Sequence, residues 1–150
     1  MERIDYRPSM IPVVDHADVV VVGGGPAGVG AALASARSGS SVVVVEKTGI
    51  CGGVATMGLP IQGFDYADGR PLVRGIAWEL YQALVASGDA LSPLIPCSLH
   101  NPYAVIDPDA CSLQILAMLD EAGVRVWNHT HFVDTVIDND GKIKHIVVAG

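Results

Sequence analysis

The chain has 150 residues, a length that fits one domain with one hydrophobic core. Half of the residues are apolar and only 17% are charged, which indicates a globular protein rather than a disordered one. The formal net charge is −7, and no basic run is present. Because phosphate binding depends on clustered Lys and Arg, these features argue against nucleic acid as a partner.

The sequence carries no signal for a membrane or for export. Its apolar stretches are strand-length, far short of the about 20 residues of a membrane-spanning helix. Residues 1–17 lack the apolar region of a signal peptide, and we expect them to form an N-terminal arm. Cys51, Cys97 and Cys111 match neither a zinc pattern nor a disulfide framework. We therefore predict a cytoplasmic protein.

A strand–helix–strand pattern begins after the arm. The run Val19 to Val22 is β-branched and apolar, as is typical of a buried parallel strand. A helix is expected next, and Gly39 is placed to end it. The run Val42 to Val45 predicts a second parallel strand. The pattern predicts a βαβ unit of a Rossmann-like α/β fold.

Between the first strand and the helix lies a Gly-x-Gly-x-x-Gly fingerprint. Gly23 allows the tight exit from the strand, Gly25 lets the backbone approach a pyrophosphate, and Gly28 lets the helix pack on the strand. Glu46 follows the second strand, where it is placed to accept hydrogen bonds from a ribose diol. An unrelated Gly-rich turn is the competing interpretation. The flanking strands and the acidic residue favour a dinucleotide site.

The rest of the chain predicts added helices and a β-hairpin. A long Gly-rich segment without regular structure, as at residues 48–71, is usually functional. The further expected elements are a helix at 72–87, extended chain or short edge strands at 89–106, a helix from Pro108 to about Ala122 capped by Asp107, a strand at 124–128, and strands at 132–138 and 142–149 joined by the turn 139–141.

His129 and His131 have the period-2 spacing that would place both side chains on one side of a strand. Such a pair can ligate a metal, but no other ligand lies nearby in the sequence. We therefore predict surface strand residues and no metal site.

The chain ends at Gly150, directly after a predicted strand. In a doubly wound fold, further strands normally cover the nucleotide. We therefore expect residues 18–150 to be the N-terminal portion of a larger unit. A missing C-terminal region or a partner chain would supply the closing motif and the substrate domain.

Residues 18–150 resemble the N-terminal portion of the FAD-dependent oxidoreductases of the glutathione-reductase-like superfamily, which are more distantly related to fumarate reductase and succinate dehydrogenase flavoproteins. The resemblance rests on three blocks of sequence. They read DVVVVGGGPAGVGAALASARSGSSVVVVEK, GICGGVATMGL and HTHFVDTVIDNDGKIKHIVV.

The resemblance implies positions for the FAD cofactor. The backbone from Gly23 to Gly28 would hold the pyrophosphate, with Pro26 and Ala27 at the start of the helix. Glu46 would bind the adenosine ribose, with Lys47 near the adenine. The remaining implied contacts are Gly52, Gly53 and Thr56 along the pyrophosphate and towards the flavin ring, and the backbone of Phe132 at the adenine.

The implied function is transfer of hydride or electrons between a small-molecule substrate and FAD, with the catalytic residues unknown. Some relatives attach flavin through a His in the second block, but no His lies between His16 and His100, so we expect non-covalent FAD. Two alternatives stay open. An NAD-dependent dehydrogenase shares the fingerprint but does not need the Gly52-Gly53 block. A non-catalytic nucleotide-binding subunit would need a partner chain.

Overall fold

The computed structural model describes residues 10–150, so residues 1–9 of the expected arm lie outside the described residues. Residues 10–17 have no regular secondary structure. Arg125 holds their end, since its Nη1 donates to Asp15 Oδ1 and its Nη2 to the His16 carbonyl, both at 2.7 Å. The boundary of the expected arm at residue 17 stays a prediction.

The described residues alternate strands and helices. In chain order they form β1 (Val19–Val22), α1 (Pro26–Arg37), β2 (Val42–Val45), a short 3₁₀ helix (Gly53–Thr56), β3 (Ile61–Gln62), α2 (Ile76–Ser87), β4 (Tyr103–Ala104), α3 (Pro108–Glu121), β5 (Arg125–Trp127), β6 (His131–Ile137) and β7 (Ile143–Ala149).

Three of the strands form a parallel sheet. Strand β2 lies between β1 and β5, with Val19 opposite Val42 and Val43 opposite Arg125. All four residues of β2 are buried, as expected of a central parallel strand covered on both faces. The predicted α/β class and the parallel βαβ arrangement are confirmed.

Three helices pack together beside this sheet, with α1 in contact with β1 and β2 and the other two helices packed on α1 and on each other. Each contributes a fully buried aliphatic side chain: Leu33 from α1, Leu84 from α2, and Ile115 from α3. Burying such a side chain contributes about 1.5 to 3 kcal/mol. The helices also end as predicted, with left-handed glycines at Gly39 after α1 and Gly88 after α2.

Helix α2 begins at Ile76, so the predicted start at residue 72 is wrong. The backbone N–H groups of Leu72 and Val73 both donate to the carbonyl of Phe64, at 2.9 and 3.2 Å. Gly75 then adopts φ +81° and ψ −144°, which is outside the helical region. Leu72 and Val73 therefore lie in a loop that is hydrogen-bonded to Phe64, although their spacing matches the helix that follows. Both side chains are exposed.

Strands β5, β6 and β7 match the prediction closely. The expectation of no regular structure at residues 48–71 is wrong for β3 and for the 3₁₀ helix, and β3 forms because it finds a distant antiparallel partner in β4. Strands β6 and β7 form an antiparallel hairpin, whose turn is closed by the Asp138 N–H donating to the Lys142 carbonyl at 2.9 Å. Gly141 has φ +78°, as the predicted turn requires. The extended segment before α3 forms β4, which pairs with β3.

The second face of the sheet lies opposite the helices. A cavity of about 530 Å³ separates Val20, Val43 and Val45 on this face from residues 11–17 and from β7. Within residues 10–150, none of the helices is long and apolar enough to cross a membrane.

Candidate functional site

The turn between β1 and α1 is held very close to the helix. Gly23 leaves the strand at φ +98°, and its N–H donates to the Val45 carbonyl of the neighbouring strand at 2.8 Å. A Cβ built on Gly28 would lie 1.8 Å from the Gly23 carbonyl oxygen. Gly28 is thus the position where the helix backbone crosses the turn, as the sequence predicts.

The start of α1 is open. Gly25 is the N-cap, Pro26 occupies the first helical turn, and no side chain caps the helix. A Cβ built on Gly25 would have no heavy atom within 4 Å. The first-turn N–H groups have no intrahelical carbonyl to bond, and they present the positive end of the helix dipole. This arrangement suits a phosphate group.

The second glycine block, GICGGVATMGL at residues 49–59, packs directly against the turn between β1 and α1. The Gly52 N–H donates to the Gly24 carbonyl at 2.7 Å. A Cβ on Gly53 would lie 3.0 Å from Cα of Gly25. Thr56 closes the 3₁₀ helix by donating from Oγ1 to the Gly53 carbonyl at 2.9 Å. The structure therefore brings Gly52, Gly53 and Thr56 beside the fingerprint, although they lie some 25 residues further along the chain.

Glu46 lies at the carboxyl end of β2 and is only 8% exposed. Its Oε2 accepts from the Gly24 N–H at 2.6 Å, and its Oε1 accepts from the N–H and the hydroxyl of Thr48, both at 2.8 Å. Burial acts to raise the pKa of Glu46. The bonds from Thr48 and Gly24, with the charge of Lys47, outweigh burial and hold that pKa below its ordinary value.

Sequence reasoning missed the contacts that Gly24 and Thr48 make with the carboxylate of Glu46. Gly24 is buried, and a Cβ there would lie 2.6 Å from Cys51 Sγ and 3.2 Å from Glu46 Oε2. Thr48 fixes the second oxygen of the same carboxylate. The signal for Thr48 is a hydroxyl two residues after an acidic strand end, a spacing that allows local bonding. Gly24 occupies a variable position of the fingerprint, so the pattern gives no signal for it.

The segment 129–130 meets the end of β2 near Glu46. The His129 N–H donates to the Thr48 carbonyl and the Thr130 N–H to the Glu46 carbonyl, both at 3.0 Å. Phe132 follows on β6 with its side chain about half exposed, and Lys47 is exposed. Glu46 and Lys47 thus follow the end of β2, and the chain that leads into β6 and Phe132 is hydrogen-bonded to that end.

The prediction that His129 and His131 point to one side of a strand is wrong. His129 lies in the turn before β6 at φ +54°, and only His131 belongs to the strand. The imidazole of His129 packs instead on Gly49, where an added Cβ would be 3.1 Å from its Cε1. No group of three potential metal-ligating side chains occurs within residues 10–150.

Two side chains of the second glycine block have contrasting environments. Cys51 is 5% exposed beneath Gly24, and burial, followed by the charge of Glu46, raises the pKa of its thiol. This is the environment of an inert structural thiol. Met57 is 71% exposed and therefore does not fill the core.

An apolar cavity of about 350 Å³ adjoins the start of α1 and the second block. Its lining is almost entirely apolar. It includes Pro26, Val54, Leu59, Phe64, Leu80 and Met118, with Gln62 as a polar group. A cavity of this kind can accept an apolar group beside a bound dinucleotide.

We expect acid to destabilise the protein partly through Glu46. Its pKa in the folded state lies below the ordinary 4.5. The unfolded chain therefore binds the proton more readily, and stability present above about pH 4.5 is lost as the pH falls through the folded pKa. Urea unfolding of the parent and Glu46→Gln at pH 7, 5 and 4 measures this difference. The parent should lose more stability on acidification; equal losses would contradict the assignment.

Fold and site together define a dinucleotide-binding βαβ unit with a second glycine turn packed on the first. Residues 18–150 match the family model described as FAD dependent oxidoreductase. The chain belongs to this family, and FAD is its cofactor.

Relatives support the same placement. Thiamine thiazole synthase of Aeropyrum pernix is 30% identical over 133 residues, which cover 89% of this chain and 44% of that protein. Urocanate reductase of Eggerthella lenta is 38% identical over 77 residues, which cover 48% of this chain and 12% of that protein. The chain thus spans less than half the length of these relatives.

Solved structures share the fold. The match to THI4 of Thermovibrio ammonificans has a TM-score of 0.58 at 21% identity and covers 89% of this chain and 47% of that one. The match to L-proline dehydrogenase from P. horikoshii has a TM-score of 0.62 at 18% identity and covers 91% and 50%. At these identities the likeness concerns the fold alone.

Proposed function

We propose that this chain is the FAD-binding portion of an oxidoreductase that transfers hydride or electrons between a small-molecule substrate and non-covalently bound FAD. When bound, FAD supplies the redox chemistry. The residues described above bind and orient it. The substrate and the catalytic residues are properties of the whole protein, in which a partner chain or a further region would complete the fold. We also propose that the chain belongs to the wider glutathione-reductase-like superfamily.

The observation that carries the proposal is the contrast between Gly25 and Gly28. At Gly28 the missing side chain is needed by the protein itself, because a Cβ would overlap the Gly23 carbonyl. At Gly25 no protein atom needs the space. The open space lies at the uncapped start of α1, where N–H groups and the helix dipole favour a phosphate. A pyrophosphate approaching the backbone explains why glycine occurs there.

At the adenosine end, we propose that Glu46 binds the ribose diol. Three hydrogen bonds from Gly24 and Thr48 fix the orientation of its carboxylate and favour its charged form. A carboxylate has about four lone-pair sites, so capacity remains for a ligand hydroxyl. Lys47 and the backbone of Phe132 are proposed to face the adenine.

The family match disfavours an NAD-dependent dehydrogenase, and the packing of Gly52 against Gly24 supports a role for the second block beside the dinucleotide. A non-catalytic subunit that needs a partner chain remains the second proposal. A cytoplasmic location remains a prediction from the sequence.

The first experiment is a visible absorption spectrum of the purified chain, before and after addition of FAD and removal of the excess. We expect a retained flavin band. A colourless chain that also fails to retain FAD when the remainder of the protein is supplied would contradict the proposed function.

Replacing Glu46 with Ala is expected to weaken FAD binding by about 1.5 to 3 kcal/mol, the range for hydrogen bonds to a charged group. Fluorescence titration with FAD measures the change. Glu121→Ala is the matched control, because it removes an exposed carboxylate from the end of α3 and leaves the site intact. Equal affinities of Glu46→Ala and the parent would reject the ribose role.

A further inference from the structure

A loop far along the chain from the glycine turns places a cysteine against a histidine. Cys97 Sγ lies 3.2 Å from His100 Nε2. The loop is tied at its base by Ile95 and Tyr103, which exchange two backbone hydrogen bonds of 2.9 and 3.1 Å. Cys97 is partly buried and His100 is exposed, so the pair is open to small reagents.

The orientation of the imidazole assigns its protons. His100 Nδ1 lies 2.7 Å from the Asn101 carbonyl oxygen. Because a carbonyl only accepts, Nδ1 carries the hydrogen in this contact. In the neutral ring, the lone pair is then on Nε2, which faces the sulfur. The ring of Tyr103 packs edge-on against the imidazole, with centroids 5.6 Å apart.

The sulfur has a donor as well as a base. The Leu99 N–H donates to Cys97 Sγ at 3.5 Å. His100 Nε2 is thus placed to take the thiol proton, and the Leu99 N–H is placed to stabilise negative charge as it develops on the sulfur. A nucleophile, an adjacent base and a third group that orients the base make up the general arrangement of an activated nucleophile.

We propose that Cys97 is a nucleophilic thiol, activated by His100, that undergoes exchange with small disulfides. Nε2 takes the thiol proton, and the thiolate attacks one sulfur of the disulfide. The S–S bond breaks, a mixed disulfide forms on Cys97, and the proton on His100 passes to the leaving thiolate or, where that thiolate is too weak a base to hold it, to water. The step needs no other oxidant or reductant.

The other two cysteines provide internal controls. Cys51 is 5% exposed and Cys111 is fully buried. Burial raises the pKa of the Cys111 thiol to about 11. Neither thiol is expected to react while the protein is folded, so a fast reaction reports on Cys97.

The test mixes the chain with an aromatic disulfide that releases a coloured thiolate. At pH 7 we expect one fast thiol per folded chain and three thiols after unfolding in guanidinium. Cys97→Ser should remove the fast phase. The fast rate should exceed that of N-acetylcysteine by about tenfold, because His100 Nε2, 3.2 Å from the sulfur, takes the thiol proton as the thiol attacks.

His100→Ala separates activation from mere exposure. We expect its rate to fall about tenfold, to that of an ordinary free thiol, and to rise again when imidazole is added to the buffer. His131→Ala, which removes another exposed histidine, is the matched control and should react like the parent. A parent rate equal to that of N-acetylcysteine, an unchanged rate in His100→Ala, or a reduced rate that imidazole does not restore would each overturn the proposal.

Discussion

Replacing Gly25 with Val is expected to abolish FAD binding while leaving the fold intact. The backbone at Gly25 has φ −68° and ψ −178°, an extended conformation that any residue can adopt and that suits a position before proline. An added Cβ meets no heavy atom within 4 Å. The valine side chain would instead fill the space that we propose for the pyrophosphate.

The size of this effect follows from the hydrogen bonds that the ligand loses. Bonds between a charged phosphate and N–H groups contribute about 1.5 to 3 kcal/mol each. Losing two of them weakens binding by at least about a hundredfold. Thermal unfolding without FAD should give the same midpoint for Gly25→Val and the parent, or a slightly higher one for the variant, because Val restricts the unfolded chain.

FAD titration of the parent, Gly25→Ala and Gly25→Val provides a graded comparison. The alanine variant should lose less affinity than the valine variant, since a single Cβ occupies less of the open space. A folded Gly25→Val that binds FAD as tightly as the parent would exclude the start of α1 as the pyrophosphate site.

Local patterns predicted the β1–α1–β2 unit well because each signal there is local. A run of four valines, a Gly-x-Gly-x-x-Gly turn and a terminal glycine need no information from distant residues. The predicted start of α2 failed for the opposite reason. Leu72 and Val73 continue the apolar spacing of the helix that follows, but the carbonyl of Phe64, eight and nine residues earlier in sequence, accepts from both of their N–H groups.

The candidate site also has parts that local sequence predicts and parts that only the folded chain shows. The sequence indicates Glu46 as an acidic strand end, but only the folded backbone brings Gly24 within 2.6 Å of its carboxylate. Likewise, the second block is visible as Gly52-Gly53, whereas its hydrogen bond to Gly24 depends on how the loop returns to the sheet. Spacing along a chain does not determine such a return.

Replacing Gly28 with Ala is expected to destabilise the protein by about 3 kcal/mol or more, at the upper end of the cost of overpacking. The added Cβ would lie 1.8 Å from the Gly23 carbonyl oxygen and 3.3 Å from Cγ1 of Val21. The oxygen belongs to the backbone of a turn that Val45 holds by a hydrogen bond. It therefore cannot rotate away as the end of a flexible side chain could.

Gly30→Ala is the matched control for this change. It lies in the same helix, and its Cβ would meet no heavy atom within 4 Å. Alanine is about 1 kcal/mol more favourable than glycine inside a helix, so Gly30→Ala should raise the free energy of unfolding. Gly28→Ala receives the same helical benefit, and the overlap with Gly23 must exceed it.

Urea unfolding at pH 7 compares the two variants with the parent, and their shifts should have opposite signs. If both variants were stabilised, α1 could not cross the turn after β1 as closely as the structure places it. The start of the helix would then lie further from the fingerprint, and the explanation of Gly25 as a phosphate contact would lose its geometric basis. The stability of Gly28→Ala thus tests the foundation of the site without any ligand present.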